Sequence, residues 1–503
     1  MTDTGRSDTD SYRTILRSSS IIGGASALGI VIGLVKFKAA ALLLGPDGIG
    51  LIGLLANIVA LLSVVAGLGI ATVGTQQVAG AAVLDDDRAV GEARQALFLA
   101  AAALALLGGV ALWLLRTPIF RMAGVSGIAD GDTALLALSI GGTVFAGAQT
   151  AYLNGIRRIG DLAIINVVGG LVATVVAITA IARLGEGGLA AFVLTGPAAT
   201  LIVGGALVAL ADRSAAPPLR LPQLARQWRA LASLGAPFML ASLVGVGGQL
   251  FVRGLLQREN GAADLGFFQA AWTISMNYMG VVLTAMGADY YPRLTGIIRD
   301  RTAARRLVNQ QTEVALLFAG PILVLMAALA PLVVHILYAA SFAPAATILR
   351  WQTMGDVLKI ASWPLGFVLL ASGRGVRYLL IEAAAMVCFC AVTFALLPRI
   401  GVNATGVAFV ALYVVYLPLA WWQARSCIDF RWTGTNAATV LVLVALVGLV
   451  ATAGSLMPVA GGLIGIVVAL ALGVRAARVL ASATGMEAPH PALAHLSRLV
   501  LRR

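Results

Sequence analysis

The chain is a succession of apolar runs, each long enough to cross a bilayer, separated by short stretches that carry most of its arginine. About 20 apolar residues in a helix span the hydrocarbon core. Splitting the runs at charges and Gly/Pro turns predicts fourteen helices, centred near residues 31, 65, 104, 142, 172, 199, 244, 276, 325, 358, 387, 414, 447 and 470. With 60% hydrophobic and 11% charged residues and a mean hydropathy of +0.94, there is more apolar surface than a water-soluble core hides. The chain is read as an all-α polytopic membrane protein. Its first run follows the polar tail MTDTGRSDTDSYRTILR and has no A-x-A-like cleavage site behind it, so it is expected to stay as helix 1.

An even number of crossings puts both termini on one side, and basic loops choose that side. If the N-terminus is cytoplasmic, 25 of the 35 Lys and Arg residues fall in cytoplasmic segments. Five, Arg116, Arg121, Arg183, Arg258 and Arg399, fall in the opposite loops. Both termini are therefore expected to be cytoplasmic. The net charge of +13 belongs to these scattered loops rather than to a patch or tail that would grip nucleic acid. Cys388, Cys390 and Cys427 lie within or beside apolar runs and read as packing residues, with neither disulfide nor zinc spacing.

One polar connection, Ala211 to Trp228, is rich in Pro and Arg and divides the chain. Sliding the sequence by 216 residues aligns GLIGLLANI (50–58) with GFFQAAWTI (266–274), Arg158 with Arg374, and RLG (183–185) with RIG (399–401). Two homologous halves of six helices form a parallel repeat, as in transporters whose lobes rock about a central site. The expected organisation is a cytoplasmic tail (1–17), an N-lobe (18–211), a cytoplasmic linker (212–230), a C-lobe (231–428), an extra hairpin (429–481) and a basic cytoplasmic tail (482–503).

Five cations, Lys36, Lys38, Arg253, Arg350 and Lys359, remain within helices. A charge at mid-membrane costs roughly 3 kcal/mol on insertion scales and usually faces a polar cavity. On helix 1, Ser26, Gly29, Gly33 and Lys36 share one face, and Lys38 lies on another, where it either serves the cavity or snorkels to the interface. On helix 7, Ser242, Gly245, Gln249 and Arg253 form a comparable stripe, one residue from the register of Lys36. Two cations facing one sheltered cavity suit a diphosphate.

Helix 10 carries Gln352, Asp356 and Lys359 on one face, and Glu382 lies one helix later. Asp356 and Lys359 either neutralise each other at i and i+3 or, with Glu382, mark a site coupled to a proton or sodium gradient. Asn57, Gln76, Gln77, Asn166, Asn277 and Thr284 either line the cavity or bond between helices. No Lys follows a Gly, which excludes a G-x-x-x-x-G-K-[ST] phosphate loop. Asp130-Gly131-Asp132 is the single metal-like signature, made of ordinary turn residues.

The stretch LLLGPDGIGLIGLLANIVALLSVVAGLGIATVGTQQVA resembles the first two helices of the Wzx polysaccharide flippases, of the multidrug/oligosaccharidyl-lipid/polysaccharide superfamily. YYPRLTGIIRDR, FAPAATILRWQTMGDVLKIASWPLGFVLLASGRGVRYLLIEAAAM and VYLPLAWW resemble the branch that moves O-antigen and enterobacterial common antigen repeat units. The likeness runs from about residue 18 to 425. It implies two pseudo-symmetric six-helix lobes around a central cavity in a bacterial inner membrane, and an undecaprenyl-diphosphate-linked oligosaccharide as substrate. It further implies polysaccharide polymerase machinery as a partner and no bound cofactor. The positions matching its cavity cations are Lys36 and Arg253, followed by Lys38 and Lys359. The hairpin beyond residue 429 departs from the twelve-helix pattern; in the related peptidoglycan lipid flippases two extra helices form a groove for the lipid tail.

Two rival readings follow from the residues. A drug or cation exporter of the same superfamily needs an acidic or aromatic cavity, against which Lys36 and Arg253 argue. A membrane glycosyl transferase or polymerase needs a larger outer loop with acidic catalytic residues.

Overall fold

The computed structural model describes residues 4–83, 87–211 and 221–484. Residues 1–3 of the expected N-terminal tail, 212–220 of the expected linker and 485–503 of the basic tail lie outside them.

The described residues are helical and carry no strand. The helices are α1 (Thr4–Gly67), α2 (Ile70–Ala82), α3 (Asp87–Ala123), α4 (Asp130–Gly155), α5 (Ile159–Ile164), α6 (Gly170–Leu184) and α7 (Leu189–Ala211). There follow α8 (Leu221–Glu259), α9 (Ala262–Ile297), α10 (Arg301–Leu337), α11 (Ala345–Ala371), α12 (Gly375–Ile400), α13 (Asn403–Ile428), α14 (Gly434–Leu456) and α15 (Pro458–Thr484).

Among the described residues, the fifteen helices and the fourteen expected crossings are reconciled by where the backbone breaks. The apolar segment Gly24–Gly67 has 44 residues. At 1.5 Å per residue that is about twice the thickness of a hydrocarbon core, too long for one crossing. Gly45 (φ 65°, ψ −167°), followed by Pro46, interrupts it. Ile159–Ala211, with 53 residues, is likewise divided at Gly185 (φ 56°, ψ −130°). The second expected helix continues from Gly67 into α2 through the left-handed pair Leu68 and Gly69.

The repeat is written in the backbone. A shift of 216 residues carries the end of α4 onto the end of α11, and both bounds of the α5–α6 stretch onto those of α12. The same shift carries positive-φ residues onto one another: Gly45 onto Gly261, Arg157 onto Gly373, and Gly185 onto Gly401. Helices in lipid gain little from burying apolar surface, so close backbone approach has to hold them together. Here two glycines related by the shift make that approach. A Cβ on Gly50 would lie 2.2 Å from the Ala262 carbonyl oxygen, and one on Gly266 would lie 2.0 Å from the Pro46 carbonyl oxygen. Pro46 and Ala262 are themselves 216 apart, so the two contacts are mates about a pseudo-twofold axis.

Backbone cannot yield as a flexible side chain does. Gly266→Ala is therefore expected to destabilise the protein by about 1–3 kcal/mol, the usual cost of overpacking. Gly280→Ala, whose Cβ meets nothing within 4 Å, serves as the control and should leave stability unchanged. Thermal unfolding of the two purified variants checks the difference.

The described chain forms two compact units. The first holds residues up to 273 with 334–348 and 386–408; the second holds 274–333, 349–385 and the chain from 409. Within the first, Val73, Leu97, Ala101, Ala148 and Leu153 form an apolar core, beside which the Trp228 indole donates to the Ala96 carbonyl at 3.0 Å. Within the second, the α14–α15 hairpin is part of the core itself, with Val440, Leu443, Val447 and Val450 packed against Ala315, Leu323 and Val324 of α10. Asn436 bonds the Asn309 carbonyl, and the buried Arg350 guanidinium bonds those of Ala327 and Gly454. Arg350, an intramembrane cation in the sequence, thus fastens the hairpin.

Candidate functional site

Helix α1 is apolar enough to cross a membrane, and its Ser26, Gly29, Gly33 and Lys36 fall on one face because their spacings are three and four. A Cβ added at Gly29 or Gly33 would meet nothing within 4 Å, so this face borders open space. Lys36, half-buried, donates from Nζ to Thr195 Oγ1 on α7 at 3.0 Å. Its ammonium stands 4.2 Å from the centre of the Phe192 ring. Thr195 in turn donates to the Phe192 carbonyl. A hydroxyl and a ring face are dipolar partners, so the positive charge is solvated without being neutralised. An ammonium has three donors, which leaves capacity for an anion.

Arg253 sits on α8 and is only 3% exposed. Its Nε and Nη2 donate to Gln269 Oε1 on α9 at 3.2 and 3.0 Å, and its Nη1 donates to Gln249 Oε1 at 3.0 Å. Phe268 lies beneath it, 5.3 Å from ring centre to guanidinium carbon. Here too the partners are amides and a ring rather than a carboxylate. A buried charge without a counter-charge costs several kcal/mol, a cost that an arriving anion reverses.

Lys36 and Arg253 are not symmetry mates. Under the 216-residue shift Lys36 meets Val252 and Arg253 meets Phe37, and one residue turns a helix by about 100°. They also do not touch: Lys36 is held from α7, and Arg253 from α8 and α9.

Lys38 does not reach freely into an interface. Its Nζ donates at 3.0 Å to the carbonyl of His335, in the last turn of α10. That carbonyl lies at the partly negative end of a helix, where a cation is stabilised. Lys38 therefore reads as a clasp between the two sequence halves. Lys38→Met is expected to retain transport within a few-fold of the native chain, measured by substrate translocation in reconstituted vesicles.

A second polar cluster lies in the other unit. Asp356 on α11 is fully buried and accepts hydrogen bonds from Ser275 Oγ, at 2.8 Å, and from the Tyr278 hydroxyl. Its Oδ1 has no partner, and neither amide atom of Gln352, one turn earlier and also fully buried, has one. Lys359 does not pair with Asp356 through a direct contact; its Nζ points to Met276 Sδ at 3.6 Å and lies 5.9 Å from the ring centres of Phe409 and Tyr413. Glu382 on α12 interacts with the hydroxyls of Tyr378 and Tyr416. The cluster thus holds two carboxylates and a lysine among tyrosines, with buried oxygens left over.

Other sequence candidates fall elsewhere. Asp130 opens α4 and pairs with Arg116, so the D-x-D signature is a helix start with acid in its first turn. Asn57 is buried with an unpartnered Oδ1, and Asn277 is half-buried. Asn166 is exposed on a π-helical turn, Ile165–Gly169, between α5 and α6. Such turns often accompany function, yet no residue pattern announces this one. Sequence reasoning also passed over Gln149, buried on α4 with an unpartnered Oε1.

Residues 40–347 match the family described as polysaccharide biosynthesis protein. The chain is 27% identical over 419 residues to the lipid III flippases of Escherichia coli K12 and Shigella flexneri, covering 80% of this chain and 97% of theirs. Among solved structures it resembles the lipid II flippase MurJ in an inward closed conformation, with a TM-score of 0.68, 10% identity, and 94% of this chain and all of that one covered. It also resembles a multidrug resistance MATE family transporter of the MOP superfamily in an inward-facing conformation, with a TM-score of 0.67, 15% identity, and 81% and 94% covered. The larger share matched in MurJ cannot be reached without residues beyond α13. The fold is that of polytopic all-α transporters.

Proposed function

The chain belongs to the polysaccharide biosynthesis protein family, and on that premise we propose that it is a flippase for an undecaprenyl-diphosphate-linked oligosaccharide repeat unit. It is a multi-pass membrane protein and a transporter rather than an enzyme. We place it in the bacterial inner membrane with both termini cytoplasmic, on the arginine count of its loops. Its product feeds surface polysaccharide assembly, whether O-antigen, common antigen or exopolysaccharide.

One observation carries the reading. Among the described residues, two membrane-embedded cations, Lys36 and Arg253, have dipolar partners and no carboxylate, so an anionic ligand would supply the charge that balances them. That favours an anionic cargo over the cationic drugs of a multidrug exporter. A diphosphate offers several acceptor oxygens to ammonium and guanidinium donors in a place with little competing water. The prenyl chain remains in lipid while the sugar crosses between the lobes by alternating access. Outward movement of each negative charge gains about 2.3 kcal/mol per 100 mV of inside-negative potential.

The test is reconstitution of the purified chain into vesicles carrying a fluorescent undecaprenyl-diphosphate-linked sugar, with impermeant quencher outside. Net movement of the label between leaflets supports the reading. Export of cationic dyes without movement of the lipid-linked sugar overturns it in favour of drug efflux.

A further inference from the structure

Asp356, Lys359 and Glu382 all lie in the second unit, and together they carry one negative charge when all three are ionised. Lys359 feels the charge of both acids. The titratable groups packed around the three are the hydroxyls of Tyr278 on α9, Tyr378 on α12, and Tyr413 and Tyr416 on α13. A net charge held within a membrane helix bundle is costly, and one proton removes it. The buried oxygens name the place for that proton. Asp356 Oδ1 and Gln352 Oε1, one turn apart on α11, are both without a hydrogen-bond partner. Both only accept. A proton on Oδ1 turns it into a donor toward the Gln352 carbonyl oxygen, so one event satisfies two buried atoms.

A line of hydroxyls connects these acids with the start of α12. That helix opens at Gly375, between Arg374 and Arg377 of the arginine-rich loops, and Glu382 stands about 10 Å further along it. Tyr378 and Tyr416 both bond Glu382 and bond each other. They converge on Gly366 of α11, where a Cβ would lie 3.0 Å from the Tyr416 hydroxyl oxygen and 3.3 Å from the Tyr378 ring. The rings of Tyr416 and Tyr413 are 6.0 Å apart, and the Lys359 ammonium is 5.9 Å from the centre of the Tyr413 ring. Tyr413 feels Asp356 and Glu382 alike, which places it between the two acids. Lys359 Nζ has Met276 Sδ at 3.6 Å, a weak acceptor that leaves the ammonium able to turn.

We propose that these side chains form a proton route, in which one proton enters at Tyr378 and Glu382, passes Tyr416, Tyr413 and Lys359, and ends on Asp356 Oδ1. Lys359 gives a proton to Asp356 and regains one from the Tyr413 hydroxyl, which is refilled through Tyr416 from Glu382. Every relay group ends as it began, and Asp356 gains one proton and loses one charge. A sodium ion suits this line poorly. A hard cation needs a shell of oxygen ligands, whereas a thioether and two ring faces surround Lys359, whose own charge repels a metal ion.

The experiment is infrared difference spectroscopy of the full chain in nanodiscs, between neutral and mildly acidic pH. The native chain is expected to gain a protonated-carboxyl band that Asp356→Asn lacks. After photolysis of a caged proton, that band should rise at least tenfold more slowly in Tyr416→Phe. Tyr290→Phe, whose hydroxyl donates to the Pro364 carbonyl at 2.9 Å away from the route, should leave the rise unchanged. Tyr413→Phe gives a second position should Tyr416→Phe fail to fold. Absence of an Asp356-dependent band, or a rise indifferent to the tyrosine variants, overturns the proposal. So does an Asp356 carboxylate band that responds to sodium at fixed pH and never becomes protonated. The spectrum reads protonation without transport. A native chain that moves no lipid-linked sugar therefore counts against the flippase reading, while the band still decides the route.

Discussion

Lys36→Ala is expected to lower translocation of the lipid-linked sugar at least tenfold, and Arg253→Gln to do the same, with both proteins still folded in the membrane. The magnitude follows from the bond removed. A hydrogen bond between a charged donor and a charged acceptor contributes about 1.5–3 kcal/mol, and every 1.4 kcal/mol is a factor of ten in affinity. Neither variant creates an orphaned carboxylate, because neither side chain is bonded to one. Removing Lys36 leaves Thr195 still donating to the Phe192 carbonyl, so α7 keeps its local structure. Arg253→Gln retains an amide opposite Gln249 and Gln269, which protects the α8–α9 contact. Lys36→Arg should recover part of the activity, since charge is kept while reach and shape change. In cells, lipid-linked repeat units should accumulate on the inner leaflet. Full translocation by both neutral variants would remove the cavity cations from the mechanism.

The large features were legible because they depend on local chemistry. Apolar run length locates the long helices, and the register of 216 residues that aligns GLIGLLANI with GFFQAAWTI returns as the paired glycine breaks at Gly45 and Gly261 and at Gly185 and Gly401. Finer features depend on partners far along the chain. In sequence Lys38 reads as either a cavity cation or a snorkelling residue, because nothing near it names the carbonyl of His335, 297 residues away. Asp356 and Lys359 at i and i+3 read as a neutralising pair or as part of a coupling site; they do feel each other's charge, but their hydrogen-bond partners come from α9, Ser275 and Tyr278 for the acid and Met276 for the base. A one-residue offset between Lys36 and Arg253 seemed negligible in an alignment, but it is about 100° on a helix. In sequence the hairpin is an addition to the twelve-helix pattern, and in the structure Arg350 and Asn309 bind it into the core of the second unit.

The buried acid of α11 carries the second large effect: Asp356→Asn is expected to abolish the response of transport to an ion gradient while sparing passive exchange. Burying a carboxylate costs far more than burying an amide unless a proton or cation accompanies it. Among the described residues Asp356 accepts from Ser275 and Tyr278, feels the charge of Lys359 without bonding to it, and keeps one oxygen bare beside the unpartnered amide of Gln352. A group so placed changes its energy sharply when a proton or sodium ion arrives, which is what coupling requires. Asparagine has similar size and keeps an acceptor for the two hydroxyls, so packing survives while the ionisable group is lost. In vesicles with an imposed proton or sodium gradient, the native chain should accelerate several-fold over the ungraded state and Asp356→Asn should not. Glu382→Gln, the parallel variant, tests the carboxylate held by Tyr378 and Tyr416. If Asp356→Asn keeps the full gradient response and Glu382→Gln loses it, the coupling site moves to α12; if both keep it, neither acid couples and the diphosphate's own charge is left to draw the cycle.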